Sequence, residues 1–243
     1  MSYRVILITG ANGGLGQAIA RSFLDESPTN RVWLGVRRNR EAVEVLAKAH
    51  PDRCRSLDLE VTDRGAWRQG VASILDQDQR LDVLINNAGG HEDALLGTME
   101  PESWDRVLAG NLDAVFHGCQ AVLPAMISQR HGRIVTIASL SALLPPMGQT
   151  NYAAAKAGAI ALSQSLSKEV ARLGITVNVV SPGYVETDAL SRLSEEERRA
   201  LQARIPMRRF GRADEVACAV RFLACSEASY ITGSNLKIDG GIL

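Results

Sequence analysis

Short runs of β-branched and aliphatic residues alternate along this chain with longer stretches of helical periodicity, and that alternation limits the fold more than any other feature. The runs at residues 5–9, 32–36, 81–85, 133–138 and 176–180 are largely apolar without a polar face, as strands covered on both sides must be. Weaker strands are expected at 54–59 and 235–238. Between them, residues 15–26, 41–50, 64–77, 102–129, 151–173 and 213–225 carry helical patterns. Repeated βαβ units with right-handed crossovers give a doubly wound parallel sheet with helices on both faces. This α/β, Rossmann-type architecture binds ligands beyond the carboxyl ends of its strands.

The composition agrees with one domain over residues 1–243, because a chain of this length with 46% hydrophobic residues buries a sufficient core without disulfides or metal. Twenty-seven basic residues balance 27 acidic ones, which removes the electrostatic drive for nucleic-acid binding. Cys54, Cys119, Cys218 and Cys225 are scattered, and His50, His91, His117 and His131 lie far apart, so neither a disulfide framework nor a metal site is expected. A reducing, cytoplasmic setting fits that cysteine usage. No run reaches the roughly 18–20 apolar residues of a membrane span. The first four residues lead straight into a strand with no basic leader, so no signal peptide is expected. The one irregular insertion, about residues 187–209, is charged and follows a strand end, the place for a mobile lid that closes over bound cofactor and substrate.

The first strand ends in Thr9-Gly10-Ala11-Asn12-Gly13-Gly14-Leu15-Gly16 and enters a helix. Glycines there permit a tight turn, a close approach to a pyrophosphate and close packing of the helix, whose N–H groups face the anion. The second strand ends at Arg37 and Arg38, with no acidic residue to hold ribose hydroxyls. Two guanidiniums suit a 2′-phosphate, so NADPH is expected in preference to NADH.

Ser139 follows the strand at 133–138, and Tyr152 and Lys156 open the next helix four residues apart. At that spacing the phenol and the ammonium project side by side, and a neighbouring cation favours the phenolate. Tyr152 is thereby the candidate general acid for carbonyl reduction, and Ser139 the hydrogen-bond donor to the carbonyl oxygen.

These residues, with Asn86-Asn87-Ala88-Gly89 after the strand at 81–85, Asn111, and Pro182-Gly183 with Thr187 after the strand at 176–180, resemble the classical short-chain dehydrogenase/reductase family over essentially the whole chain. The resemblance implies that Asn111 anchors a water in a proton relay with Tyr152 and Lys156, and that Lys156 also holds the nicotinamide ribose. It places Val185 and Thr187 at the nicotinamide carboxamide and counts Pro182 and Gly183 among the cofactor-binding residues. Asn87, Ala88 and Gly89 line the adenosine side, with Glu60 and Val61 at the adenine. It further implies a homotetramer packed through the helices at 102–129 and 151–173, with Ala157, Ala161, Leu162 and Leu166 on the contact face.

Within that family the segments 131–135, 151–158, 174–178 and 230–241 are similar to 3-oxoacyl-acyl-carrier-protein reductases, which implies a 3-oxoacyl thioester substrate on an acyl carrier protein. Arg130 matches a carrier-docking arginine of those reductases and the second such position falls on Leu173, with Arg172 next to it, so the resemblance implies docking of the carrier through Arg130 and Arg172. Gly13 stands where many NADP-using members carry a basic residue, leaving Arg37 and Arg38 as the phosphate candidates. Gly90-His91 departs from the usual continuation after NNAG and points to an altered substrate mouth formed with Ser141 and Leu143. A reductase of free ketones, secondary alcohols or sugars, and a non-catalytic dinucleotide sensor, are the competing readings. The complete set Asn111, Ser139, Tyr152 and Lys156 weighs against the sensor.

Overall fold

The computed structural model describes residues 3–186, 190 and 194–243. In chain order the elements are β1 (Val5–Thr9), α1 (Gly14–Glu26), β2 (Arg31–Val36), α2 (Glu41–Ala49), β3 (Cys54–Asp58), α3 (Arg64–Asp78) and β4 (Val83–Asn86). They continue with α4 (Pro101–Leu108), α5 (Ala114–Gln129), β5 (Gly132–Ile137), α6 (Thr150–Val170), β6 (Ile175–Pro182), α7 (Glu195–Ala203), α8 (Ala213–Leu223) and β7 (Asn235–Ile238). The strands form one parallel sheet in the order β3-β2-β1-β4-β5-β6-β7. The strand order reverses between β1 and β4, which opens a crevice at their carboxyl ends.

Side-chain alternation along the buried strands divides the core between the two faces of the sheet. Ile6, Ile8, Val32, Leu34, Val83 and Ile85 pack with Ile19 and Phe23 of α1, Val43 and Leu46 of α2, and Val216 and Val220 of α8. Val5, Leu7, Trp33, Leu84, Ile134 and Val177 pack with α3, α5 and α6 through Trp67, Ile74, Val122, Met126, Ala159 and Val170. Both faces are thus removed from water, the requirement that the apolar runs had signalled. Leu166 belongs to this core and Leu162 packs against it, so of the expected contact face on α6 only Ala157 and Ala161 are exposed, in a row with Ala154.

The continuous helix expected at 102–129 is interrupted. Residues Ala109–Asp113 form a π-helical turn between α4 and α5. The cause is local: Asn111 Nδ2 donates to the Val107 carbonyl at 2.8 Å, competing with the backbone ladder, and to the Gly90 carbonyl at 2.7 Å. The expected helix 151–173 also tightens into a 3₁₀ turn at Ala171–Leu173 and stops at Gly174, where φ is +79°. Of the charged insertion, residues 187–189 and 191–193 lie outside the described residues. The described part contains α7, which opens with a capping box between Ser194 and Glu197 and buries no residue fully, while Ile205 and Phe210 beyond it are buried.

The turn from β1 to α1 depends on close backbone contact. A Cβ on Gly16 would lie 2.5 Å from the Gly10 carbonyl oxygen and 2.8 Å from Ala11 Cα, and Gly10 itself holds φ +61°. Asn87 locks the same turn from β4, donating from Nδ2 to the carbonyls of Thr9 and Gly10 at 2.9 and 3.1 Å. Gly16→Ala must displace backbone, so it is expected to destabilise the protein by about 1–3 kcal/mol in urea unfolding and to weaken dinucleotide binding with it. An unchanged unfolding midpoint would show that the turn yields without cost.

Candidate active site

The loops that leave β1, β4, β5 and β6 meet at one edge of the sheet and enclose two adjoining cavities. One, of about 890 Å³, is lined by Leu15, Asn87, Gly89, Ser139, Tyr152, Lys156, Pro182, Gly183 and Val185, together with His91, Ser141, Leu144, Leu190, Arg204 and Ile242. The other, of about 630 Å³, is lined by Gly10, Asn12, Arg37, Arg38, Glu60, Val61, Ala88, Gly89, His91 and Asn111. Gly13 and Gly14 are exposed at the mouth of the turn and Gly16 is buried behind it. Thr187 lies outside the described residues. Of the other residues expected for cofactor, catalysis and the substrate mouth, all but Leu143 border these cavities or form the turn between them; Leu143 lines neither, and its neighbour Leu144 takes that place.

The second cavity has the form of a dinucleotide cradle. A Cβ on Gly14 would meet nothing within 4 Å and one on Gly13 only the Gly10 carbonyl at 3.7 Å, so the first turn of α1 presents bare backbone to the opening. Asn12 Nδ2 donates to the Arg38 carbonyl at 3.3 Å and ties that turn to the end of β2. Arg37 and Arg38 are exposed at the rim. The Arg37 guanidinium is paired with Glu60, whose other carboxylate oxygen accepts from the Thr62 hydroxyl at 2.9 Å and from the Thr62 amide at 3.2 Å. Burial raises the Glu60 carboxyl, but the Arg37 and Thr62 hydrogen bonds outweigh it and hold the group below the usual carboxylate range.

In the first cavity, β5 delivers Ser139 and the start of α6 delivers Tyr152 and Lys156. Ser139 caps the 3₁₀ turn Leu140–Ala142, its Oγ accepting from the Ser141 amide at 3.1 Å. Lys156 is buried, and its Nζ donates to the Ile137 carbonyl at 2.8 Å while lying 5.7 Å from the centre of the Tyr152 ring. Burial alone pushes the Lys156 ammonium down to about 8. The expected cation-driven lowering of the Tyr152 phenol is not what the geometry produces. Burial dominates and raises the phenol, the hydrogen bond with Ser139 opposes it, and the Asp93 carboxylate adds to the rise. The physical reason is that the phenol itself lies in a dry interior, where its charged form is disfavoured.

Asn111 stands behind this group. Its Oδ1 is buried and accepts from no group among the described residues. A Cβ on Gly89 would fall 2.3 Å from that oxygen and 3.3 Å from Lys156 Nζ, so only glycine leaves open the space that the two polar atoms border. The bonds from Asn111 Nδ2 to the Val107 and Gly90 carbonyls hold it there.

Arg130 and Arg172 do not join the site. Arg130 ends α5 just before β5, and Arg172 sits in the 3₁₀ turn just before β6, so both lie at the amino ends of strands whose carboxyl ends carry Ser139 and Pro182. A six-residue strand separates the two ends by roughly 20 Å. Sequence reasoning missed Tyr184, Leu190, Arg204 and Ile242 as lining residues, and Gln149, which accepts from the Ser141 hydroxyl at 3.0 Å. Gln149 carries no motif; only its position three residues before Tyr152 marks it.

The chain is similar to known proteins over nearly its whole length. A family model described as enoyl-(acyl carrier protein) reductase matches residues 10–243. The 3-oxoacyl-[acyl-carrier-protein] reductase of Thermotoga maritima is 41% identical over 240 residues, covering 99% of this chain and 98% of its own. The proteins of that name from Escherichia coli K12 and Haemophilus influenzae are 41% and 38% identical, covering 98% and 100% of this chain and 97% and 99% of their own.

The burial of Lys156 bears on stability. Burial holds its ammonium at about 8, below the ordinary lysine value of 10.5, so folding disfavours its proton. The resulting penalty is fully present below pH 8 and fades as pH rises toward 10.5. Lys156→Met is expected to raise unfolding free energy at pH 7 by about 1–3 kcal/mol, after allowance for the lost bond to the Ile137 carbonyl, with the gain shrinking between pH 8 and 10. A gain that does not change with pH would contradict the burial of a charged ammonium.

Proposed function

The chain belongs to the short-chain dehydrogenase/reductase family, and from that premise we propose that it reduces 3-oxoacyl thioesters on an acyl carrier protein to 3-hydroxyacyl thioesters, with NADPH as reductant. The observation that carries this reading is the convergence of Ser139, Tyr152 and Lys156 on one cavity beside the glycine turn, in a chain matched nearly end to end by 3-oxoacyl-[acyl-carrier-protein] reductases.

Members of this family use NAD(P). In our reading Gly10, Asn12, Gly13, Gly14, Leu15 and Gly16 hold the pyrophosphate, while Asn87, Ala88 and Gly89 with Glu60 and Val61 line the adenosine. Pro182, Gly183 and Val185 border the nicotinamide end, with Thr187 beside them in sequence. A bound nicotinamide supplies a hydride to the carbonyl carbon. Arg37 and Arg38 meet the 2′-phosphate, and Glu60 keeps the Arg37 guanidinium over the cradle.

Tyr152 Oη donates a proton to the carbonyl oxygen as negative charge develops there, and Ser139 Oγ holds the same oxygen by a hydrogen bond. A phenol raised by burial stays protonated at neutral pH and is ready to act as the acid. Lys156, fixed by the Ile137 carbonyl, holds the ribose and passes a proton toward Tyr152. Asn111 Oδ1, a buried acceptor facing the space beside Lys156, completes the relay by holding a water. The exposed row Ala154, Ala157 and Ala161 on α6 suits close helix packing between copies, and the assembly is read as a homotetramer.

A substrate panel tests the proposal. Carrier-bound and small-thioester 3-oxoacyl compounds are expected to drive NADPH oxidation at least tenfold faster, in kcat/KM, than free ketones and sugars. In the same assay Arg37→Ala is expected to raise the KM for NADPH about tenfold or more while leaving that for NADH nearly unchanged, because only the phosphate loses a partner. Faster turnover of free ketones, or equal effects on the two cofactors, would overturn the corresponding half of the reading.

A further inference from the structure

The cavity that holds Ser139 and Tyr152 carries a cation that the mechanism does not use. Arg204, which closes α7, lines it together with Leu190 and Ile242, and among the described arginines from 198 to 212 it alone does so. Its neighbours are committed elsewhere: Arg198 to Glu186 at 2.6 Å, Arg209 to Glu215 at 2.7 Å and Arg212 to Asp214 at 3.0 Å, with the Arg208 guanidinium donating to the Ala203 carbonyl. The Arg204 side chain makes no ion pair or hydrogen bond with a described residue, and no aspartate or glutamate is among the described residues that line the cavity.

Although exposed, Arg204 has a fixed base. Its amide donates to the Leu201 carbonyl at 3.0 Å, and the next residue, Ile205, is buried. The Met207 amide donates to the Gly240 carbonyl at 3.1 Å, and a Cβ on Gly240 would lie 2.8 Å from Ile205 Cγ2, so the chain after α7 packs tightly on the loop that carries Ile242. Exposure increases outward along the cavity wall: Lys156 is buried, Ser139 and Tyr152 are half-buried, and Arg204 is exposed. Arg204 thus stands at the rim, and a guanidinium stays charged at every working pH.

We infer that Arg204 is a specificity-determining residue that receives the phosphate of a phosphopantetheine arm. In the proposed reaction the thioester reacts beside Tyr152 while the carrier remains outside, so the arm, rather than the acyl group, must cross the rim. The phosphate is the one charged group of that arm, and a guanidinium binds phosphate through paired, charge-assisted hydrogen bonds. Within one chain Arg130 and Arg172 lie at the opposite edge of the sheet and cannot meet an arm that enters here. Free ketones, sugars and truncated thioesters have no such group, so the contact favours substrates delivered on the arm. The inference rests on the proposed function and deepens it.

The test uses the full-length protein, saturating NADPH and two acetoacetyl thioesters that differ only in the phosphate, those of 4′-phosphopantetheine and of pantetheine. The unaltered protein is expected to favour the phosphorylated substrate about tenfold in kcat/KM, chiefly through KM, and the preference is expected to shrink as salt is raised. Arg204→Gln is expected to bring the two substrates within about twofold of each other by slowing only the phosphorylated one, with NADPH binding, read by its fluorescence, unchanged; Arg204→Lys keeps the charge and is expected to retain part of the preference. Equal efficiency of the two thioesters with the unaltered protein, an equal loss on both in Arg204→Gln, or a loss of NADPH affinity in that variant would overturn the inference and leave the proposed function standing. If the unaltered protein reduces neither thioester nor any carrier-bound one, the proposed function itself fails and the inference falls with it.

Discussion

A parallel sheet buried on both faces leaves only its edges for chemistry, and every feature of the site follows from that constraint. Helices that return the chain must cross from the carboxyl end of one strand to the amino end of the next, so the loops that leave β1, β2, β3, β4, β5 and β6 all open at the same edge. Residues as distant in sequence as Gly10, Arg37, Glu60, Ala88, Ser139 and Pro182 are brought together without any one of them being required for the core. The same geometry sends Arg130 and Arg172 to the other edge.

Within that frame the reactive groups are positioned by local departures from regular structure. Asn111 lies buried within the π-helical turn at Ala109–Asp113, and Gly89 leaves room for it beside Lys156. Ser139 is set by the 3₁₀ turn it caps. Lys156 sits on a regular helix but in an environment hostile to its charge, stabilised by one backbone carbonyl. Each departure costs stability where it occurs, and the large two-faced core supplies the surplus that sustains it.

The sheet, its strand limits to within a residue or two and the glycine turn were legible because burial on both faces and a positive-φ turn leave few residue types available. That Tyr152 and Lys156 stand side by side was legible from helical spacing, while the expectation that they and their neighbours act at a site came from family resemblance. The break in the helix at 102–129 was not, because it arises from one side chain competing for the Val107 carbonyl inside an apolar pattern that reads as continuous. Nor was the pairing of Arg37 with Glu60, or of His91 with Asp93 and Gln149, since these depend on where loops from different strands meet. The expected help of Lys156 to the Tyr152 phenol failed for a related reason: spacing puts two residues side by side on a helix but says nothing of how dry their surroundings are.

The central claim is that Tyr152 is the proton donor at a site otherwise built to hold a dinucleotide and a carbonyl. Tyr152→Phe removes one hydroxyl and almost no contact area. Its most direct measurement is single-turnover reduction of an acetoacetyl thioester by prebound NADPH, with cofactor affinity measured alongside. The account predicts a loss of at least a hundredfold in the reduction rate, with NADPH affinity within about twofold of the unaltered protein. Near-normal reduction by the phenylalanine variant would contradict it.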